Sequence, residues 1–275
     1  MADDLNKLYA IIDGFTERAE KELVHRLEKW PPDLGRKGVH EVIGALLARQ
    51  VTLASQIAVS PNIWNGHTAP LMLRAMADVF ITLAWLLKKP DERCQKFIDY
   101  GLGQQKLELE HRRVQMRSHE IRPGESEYCD TIEAWIDSQR ATFLTEVNLG
   151  SWSGLSTRAM ADEAGCLDFY NYVYTPFSAC AHSMWHHVAR YNLKTCENPL
   201  HRYHWVPAGH NAPLDPDYLR LAAKYLRKTF AAFDEALGIT AEIESAYKYL
   251  CDAVDELGEE QATEAKPAAT DEPSD

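Results

Sequence analysis

The residues best suited to chemistry lie on two predicted helices, one of which is apolar on nearly every side. Arg74 and Asp78 are spaced i, i+4 in the apolar helix, where burying an unpaired charge would cost several kcal/mol. The second helix repeats a polar side chain at every fourth position: Tyr170, Tyr174, Ser178, His182, His186 and Arg190. Because residues four apart share a helix face, we expect this stripe to pair with Arg74 and Asp78.

The predicted cluster supports two interpretations, one structural and one catalytic. Buried Arg–Asp pairs and Tyr/Ser/His networks often only specify how helices pack, and we favour that interpretation. If a cleft reaches the cluster, its candidate catalytic residues are Arg74, Asp78, Tyr174, Ser178 and His182. A serine beside a histidine without an oxyanion hole does not make a hydrolase, so the sequence names no reaction.

A metal site is a second candidate, with His182 and His186 as its ligands. Their i, i+4 spacing lets two imidazoles reach one ion. More potential ligands follow within reach, in an irregular segment rich in His, Pro and Gly: Cys196, His201, His204 and His210. No Glu flanks either helical histidine as in a zinc protease, and ligand spacing alone does not fix the geometry. We find no phosphate loop and no dinucleotide fingerprint, so the cofactor is unknown.

The periodicity of apolar residues predicts an all-α protein, a bundle of about eight helices around one buried central helix, residues 71–87. Two charges near one end make that helix a poor membrane span, so we expect no membrane contact. No segment alternates with a period of two, and no strand is predicted. We expect a single helical domain over residues 1–257 and a disordered acidic tail over residues 258–275.

The net charge and the spacing of the cysteines limit the classes of function that the protein can have. Net charge is −12, and residues 255–275 contain eight acidic side chains and one lysine, which leaves −5 for the body. An acidic body excludes non-specific wrapping of duplex DNA. Six widely spaced cysteines without a Cys-x-x-Cys pair predict free thiols, and the first residues lack the apolar core of a signal peptide. We therefore expect a cytoplasmic protein.

Three segments carry a family resemblance: Leu73–Asp78, Trp152 with Arg158–Ala161, and Tyr170–Ser183. They resemble an uncharacterised family of bacterial helical proteins, which has an Arg-x3-acidic helix and a Tyr-x3-Ser-x3-His helix. The resemblance covers about residues 40–190. It implies a helical fold and, by analogy with HEPN-like bundles, a role in bacterial defence or a toxin–antitoxin system. Asp78 stands where glutamate is common in that family, which shortens the reach of the carboxylate.

A HEPN-type ribonuclease or RNA-binding protein is the alternative function. Such proteins pair an arginine with a histidine a few residues away, usually at a dimer cleft. The histidine acts as a base and the arginine stabilises charge on phosphate. Arg113 with His119, and Arg18 with His25, have this spacing. RNA, a protein partner and a homodimer therefore stay open, as does a non-enzymatic scaffold whose acidic tail competes for basic surfaces.

Overall fold

The computed structural model describes residues 2–118, 121–139, 151–209 and 213–264. The chain is 75% helical, which confirms the all-α prediction. In chain order the α-helices are α1 (Ala2–Lys29), α2 (Lys37–Ala58), α3 (Ala69–Lys88), α4 (Pro90–Met116), α5 (Glu125–Ser138), α6 (Thr157–Glu163), α7 (Leu167–Phe169), α8 (Thr175–Ala181), α9 (Trp185–Asn192), α10 (Asp217–Leu237) and α11 (Ala246–Glu264). Short 3₁₀ turns cover Leu34–Arg36 and Pro61–Ile63.

The chain divides into two compact units. Unit 1 comprises Met1–Pro31, Leu47–Phe80 and Asn171–Asp275, and unit 2 comprises Pro32–Leu46 and Ile81–Tyr170. Helices α2 and α3 each contribute residues to both units. The prediction of about eight helices around one central helix is therefore inexact, because α3 contributes residues to both units. The single domain predicted for residues 1–257 stays a prediction.

Helix α3 is buried as its sequence predicts. Its fully buried side chains include Leu73, Met76, Ile81, Leu83 and Leu86, whereas Leu71 on another face is 45% exposed. By length and composition it is the helix of the described residues that could cross a membrane, and 56% of its most apolar window is buried. Such burial is typical of a core helix in a globular protein.

The core of unit 1 is formed where α1 and α10 both pack against α11. Phe15 of α1 and Phe230 and Phe233 of α10 are fully buried there. Trp30 meets Phe233 edge-on, with ring centroids 5.4 Å apart. Gly238 ends α10 with a positive φ of 64°, the left-handed conformation that glycine adopts without a steric penalty.

A charged network crosses this core. Arg26 of α1 donates to both carboxylate oxygens of Asp234 in α10, at 2.9 and 2.8 Å, and to the backbone oxygen of Glu22 at 3.0 Å. Glu22 and Arg26 are both buried. Burial raises the pKa of Glu22, although the neighbouring Arg26 guanidinium opposes that shift. Because the two carboxylates share one arginine, removing Arg26 would leave the buried Glu22 and the partly buried Asp234 without their countercharge.

We expect Arg26→Met to lower the free energy of unfolding by about 3–5 kcal/mol, because it leaves buried carboxylates unpaired. The matched control is Lys21→Met in the same helix, whose ion pair with Glu17 is exposed on both sides. That change is expected to cost less than about 1 kcal/mol. Urea unfolding followed by circular dichroism measures both, and equal losses in the two variants would contradict the prediction.

Unit 2 is centred on the packing of α4 against α5, with Leu109, Cys129 and Ile136 in its core. A second contact ties α6 to the start of α4. Arg93 donates to the backbone oxygen of Trp85 at 2.5 Å and to Glu163 at 2.8 Å. Ser156 caps α6 by accepting from the amide of Ala159.

The helix predicted to carry the polar stripe from Tyr170 to Arg190 is interrupted twice. Residues Tyr170–Tyr174 form a π-helical turn before Pro176, which cannot donate a backbone hydrogen bond and crowds the preceding turn. After α8 the chain leaves the helix at Ser183, whose φ of 49° is left-handed. The amide of Met184 bonds to the oxygen of Ala179 at 2.9 Å, which completes a Schellman turn.

The segment after α9 contains two short strands, which the sequence did not predict. Strand β1 (Leu193–Thr195) pairs antiparallel with β2 (Trp205–Pro207), with Thr195 opposite Trp205. The chain between the strands, residues 196–204, is called the hairpin loop below. At the carboxyl end, residues 258–264 belong to α11, so the predicted tail starts too early, and residues 265–275 lie outside the described residues.

Candidate functional site

Four of the five predicted cluster residues meet in unit 1. Arg74 of α3 donates from Nε to the Ser178 hydroxyl at 2.7 Å, and its Nη1 pairs with Asp78 one turn later. The guanidinium carbon lies 3.2 Å from the centre of the Tyr174 ring. The Ser178 hydroxyl in turn donates to the backbone oxygen of Tyr174 at 2.9 Å. The cluster is therefore a hydrogen-bonded network that joins α3 to α8.

The network is closed on one side and reaches solvent on the other. The Arg74 side chain is 13% exposed, whereas that of Asp78 is 48% exposed. Partial burial raises the pKa of Asp78, and the charge and hydrogen bond of Arg74 oppose that rise. The arginine is thus held between an acid, a hydroxyl and an aromatic face, an arrangement that uses its bonding capacity within the protein.

His182, the fifth predicted catalytic residue, does not share this environment. It lies exposed at the C-cap of α8, where the helix ends. His186 begins a different helix, α9, and is also exposed. The predicted alignment of Ser178, His182, His186 and Arg190 is wrong because the left-handed turn at Ser183 separates the two helices. The i, i+4 argument for a metal site at His182 and His186 fails for the same reason.

The arginine–histidine pairs of the HEPN alternative have other partners. Arg113 forms ion pairs with Glu133 at 2.7 Å and with Glu110 at 3.4 Å, while His119 lies outside the described residues. Arg18 pairs with Glu244 at 2.7 Å and stacks 3.7 Å from the centre of the Tyr249 ring. His25 has a buried Nε2 without a hydrogen-bond partner among the described residues.

Three other predicted ligands converge in the hairpin loop. Cys196, His201 and His204 each offer one donor atom, and these atoms lie within 4.8 Å of one another. The Cys196 sulfur is 3.7 Å from Nδ1 of His201. A tetrahedral zinc ion about 2.3 Å from sulfur and about 2.0 Å from nitrogen would hold those atoms about 3.5 Å apart. The spacing of this pair therefore already matches a common metal ion. The remaining predicted ligand, His210, lies outside the described residues.

The hairpin positions these ligands. Cys196 directly follows β1 and His204 directly precedes β2, and the amide of Cys196 bonds to the oxygen of His204 at 2.9 Å. The rings of His201 and His204 meet edge-on at 5.4 Å. Upstream, the ring of Tyr191 in α9 packs against Gly66, where a Cβ would lie 2.4 Å from it. The strand that leads into the hairpin loop thus follows a helix that is packed against the body of unit 1.

Asn198 shapes the loop from inside. Its Oδ1 accepts from the amide of Leu200 at 3.0 Å, and its Nδ2 lies 3.3 Å from Nε2 of His201. Since Nδ1 of His201 faces the cysteine sulfur, Nε2 is the nitrogen left for an outer contact. Metal ligation of a histidine is strengthened when this second nitrogen donates to an oxygen.

One protein-family model matches residues 40–199 of the chain, and the family is described as "Family of unknown function (DUF5677)". The match spans more than half of the chain. The chain belongs to this family. No curated protein and no solved structure matches it.

Membership in DUF5677 confirms the predicted resemblance to an uncharacterised family, whose expected extent was residues 40–190. It shows neither a HEPN-like character nor a bacterial origin. The network of Arg74 and Ser178 lies inside the matched span, whereas His201 and His204 lie beyond it. The metal ligands are therefore argued from the geometry of this chain alone.

We expect Arg74→Met to lower the free energy of unfolding by about 1.5–3 kcal/mol, because it removes charge-assisted bonds to Ser178 and Asp78. Ser178→Ala should cost about 1 kcal/mol, since Arg74 keeps its other contacts. Arg190→Met, a change at an exposed arginine of the same unit, serves as the control and should stay within about 0.5 kcal/mol. If Arg74→Met unfolds at the same urea concentration as the control, the network does not stabilise the fold.

Proposed function

We propose that this protein binds a divalent transition-metal ion through Cys196, His201 and His204. The observation that carries the proposal is the convergence of one sulfur and two imidazole nitrogens within 4.8 Å. A thiolate with two imidazoles is a ligand set typical of zinc, which has no geometric preference of its own. Zinc is accordingly the ion that we expect.

Three protein ligands leave a fourth position for water or another donor. Such a position alone does not make an enzyme, because a hydrolytic zinc site also needs a base beside the bound water. The acid nearest along the chain, Glu197, forms an ion pair with Lys194 at 3.0 Å. We therefore propose metal binding without assigning a reaction.

The Arg74 network is, in this proposal, a structural element. Arg74 donates to Ser178 and pairs with Asp78, the Ser178 hydroxyl donates to the backbone oxygen of Tyr174, and Arg74 is covered by the Tyr174 ring. A HEPN-type nuclease receives no support from the described contacts, since Arg113 and Arg18 are both engaged with glutamates. Roles in defence or in a toxin–antitoxin system rest on the sequence resemblance alone.

The central prediction is a zinc-to-protein ratio near one in full-length protein purified without a histidine tag and incubated with zinc. Cys196→Ser and His201→Ala should each weaken zinc binding by more than the roughly 10–100-fold that outer contacts are worth, because a direct ligand is lost. Elemental analysis and titration against a chromophoric chelator measure this effect.

The matched control removes the histidines that are not in the cluster. A His182→Ala, His186→Ala double variant should retain the full zinc content, since both residues lie outside the hairpin loop. A ratio near zero in the unaltered protein would overturn the proposal. Loss of zinc in the control variant would instead show that His182 or His186 binds the ion.

Asn198→Asp should tighten zinc binding about tenfold, the lower end of the effect of outer contacts. When a metal occupies Nδ1 of His201, Nε2 carries a proton that needs an acceptor, and the nearest side-chain atom is now an amide nitrogen. A carboxylate can accept from Nε2 and from the amide of Leu200 together. Competition with a chelator of known affinity tests this, and weaker binding in the Asp variant would show that His201 does not bind through Nδ1.

A further inference from the structure

The hairpin loop exposes large apolar side chains that a folded protein normally buries. Tyr203 is 93% exposed and Leu200 is 87% exposed, and both lie between the ligands of the candidate metal site. Trp205, at the start of β2, is 54% exposed. Two aromatic rings and one aliphatic side chain therefore face solvent within six residues, which is typical of a binding surface.

The backbone of Tyr203 has a restricted conformation. Tyr203 has a φ of 62°, the left-handed region that non-glycine residues rarely adopt. The turn around it is closed by the amide of His201 bonding to the oxygen of Asn198 at 3.0 Å, and by the amide of His204 bonding to the oxygen of His201 at 3.3 Å. The turn thus fixes the backbone beneath the exposed tyrosine ring.

The charge of this region differs from that of the rest of the chain. The hairpin, residues 193–207, contains one acidic side chain, Glu197, and two basic ones, Lys194 and Arg202, in a protein that carries 41 acidic residues. Arg202 is exposed and has no ion-pair partner among the described residues. Lys194 pairs with Glu197 on an exposed surface, where such pairs are weak and readily exchanged.

A bound metal would make the hairpin more basic. A divalent ion that displaces the proton of the Cys196 thiol adds one net positive charge to the loop. The same ion would join the two ends of the loop through Cys196 and His204. Metal binding would thus raise the positive field beside Tyr203 and fix the position of its ring.

We propose that the metal-loaded hairpin binds single-stranded nucleic acid, a partner that rests on the metal binding proposed above. Tyr203 and Trp205 would stack on successive bases, and Arg202 would contact the phosphates. Exposed aromatic faces with nearby cations fit unpaired bases, whose π-faces are accessible. A duplex hides those faces and would meet the acidic body of the chain.

The test uses the full-length protein loaded with one equivalent of zinc and fluorescein-labelled strands of ~8 nucleotides, within the usual range of small binding surfaces. Oligo-uridine and oligo-thymidine separate RNA from DNA, and a duplex of the same length is the third probe. Fluorescence anisotropy at about 50 mM and about 200 mM salt gives affinity and salt dependence. We expect both single strands to bind, more weakly at the higher salt, and the duplex to bind least.

Four variants locate the surface. Tyr203→Ala and Trp205→Ala should each weaken binding roughly five- to 150-fold, the effect of losing one stacked base. Arg202→Ala should also reduce the salt slope by about 0.7, the value for one phosphate contact on a single strand. Trp185→Ala is the aromatic control, because Trp185 is as exposed as the loop residues but begins α9 outside the hairpin. Its affinity should match that of the unaltered protein.

The outcomes separate this inference from the proposed metal site. Zinc bound at a ratio near one, with no single-strand binding at low salt, overturns the nucleic-acid inference and leaves the metal site standing. Binding that is unchanged by Tyr203→Ala and Trp205→Ala, or equal for duplex and single strand, also overturns it. Sedimentation showing a zinc-dependent dimer that Tyr203→Ala dissociates would reassign the surface to a second copy of this chain. Strand binding that persists after zinc is removed refutes the dependence on metal.

Discussion

The backbone hydrogen bond between Cys196 and His204 is the contact on which the candidate metal site depends. It extends the pairing of β1 and β2 by one residue and brings the two ends of a long loop together. A slip of one residue in this register would turn Thr195 and Trp205 to the opposite face. Because each strand has only three residues, the register is also supported by α9, which is anchored through Tyr191 on Gly66.

The helices could be predicted from sequence because their signals are local. A continuous apolar run predicts α3, Ser156 is of a residue type that caps the start of a helix, and Gly238 is of the type that ends one. The turn at Ser183 was missed because a serine occupies a left-handed position usually held by glycine. The π-turn before Pro176 follows from the proline, but only the whole fold decides whether a proline ends a helix or widens it.

The sequence predicted the residues of one candidate site better than those of the other. The charge of Arg74 needs a partner, and this requirement predicted Ser178 and Tyr174 as its neighbours. Both contacts are present, because the helix faces fix these positions. The i, i+4 rule favoured His182 and His186 as the ligand pair, but these residues lie at two different helices. Cys196, His201 and His204 come together through the conformation of a hairpin loop, and three-residue strands carry no readable alternation.

The two candidate sites differ in how far contacts within the protein already occupy their polar groups. Arg74 already bonds to Ser178 and Asp78 and lies against the Tyr174 ring, so a ligand at this position would have to break contacts that hold α3 to α8. The sulfur and imidazole nitrogens of the hairpin loop meet mainly one another, at distances that leave space for an ion. A cation would complete them without breaking the fold. The cluster that is least satisfied by the protein is the one best able to bind something else.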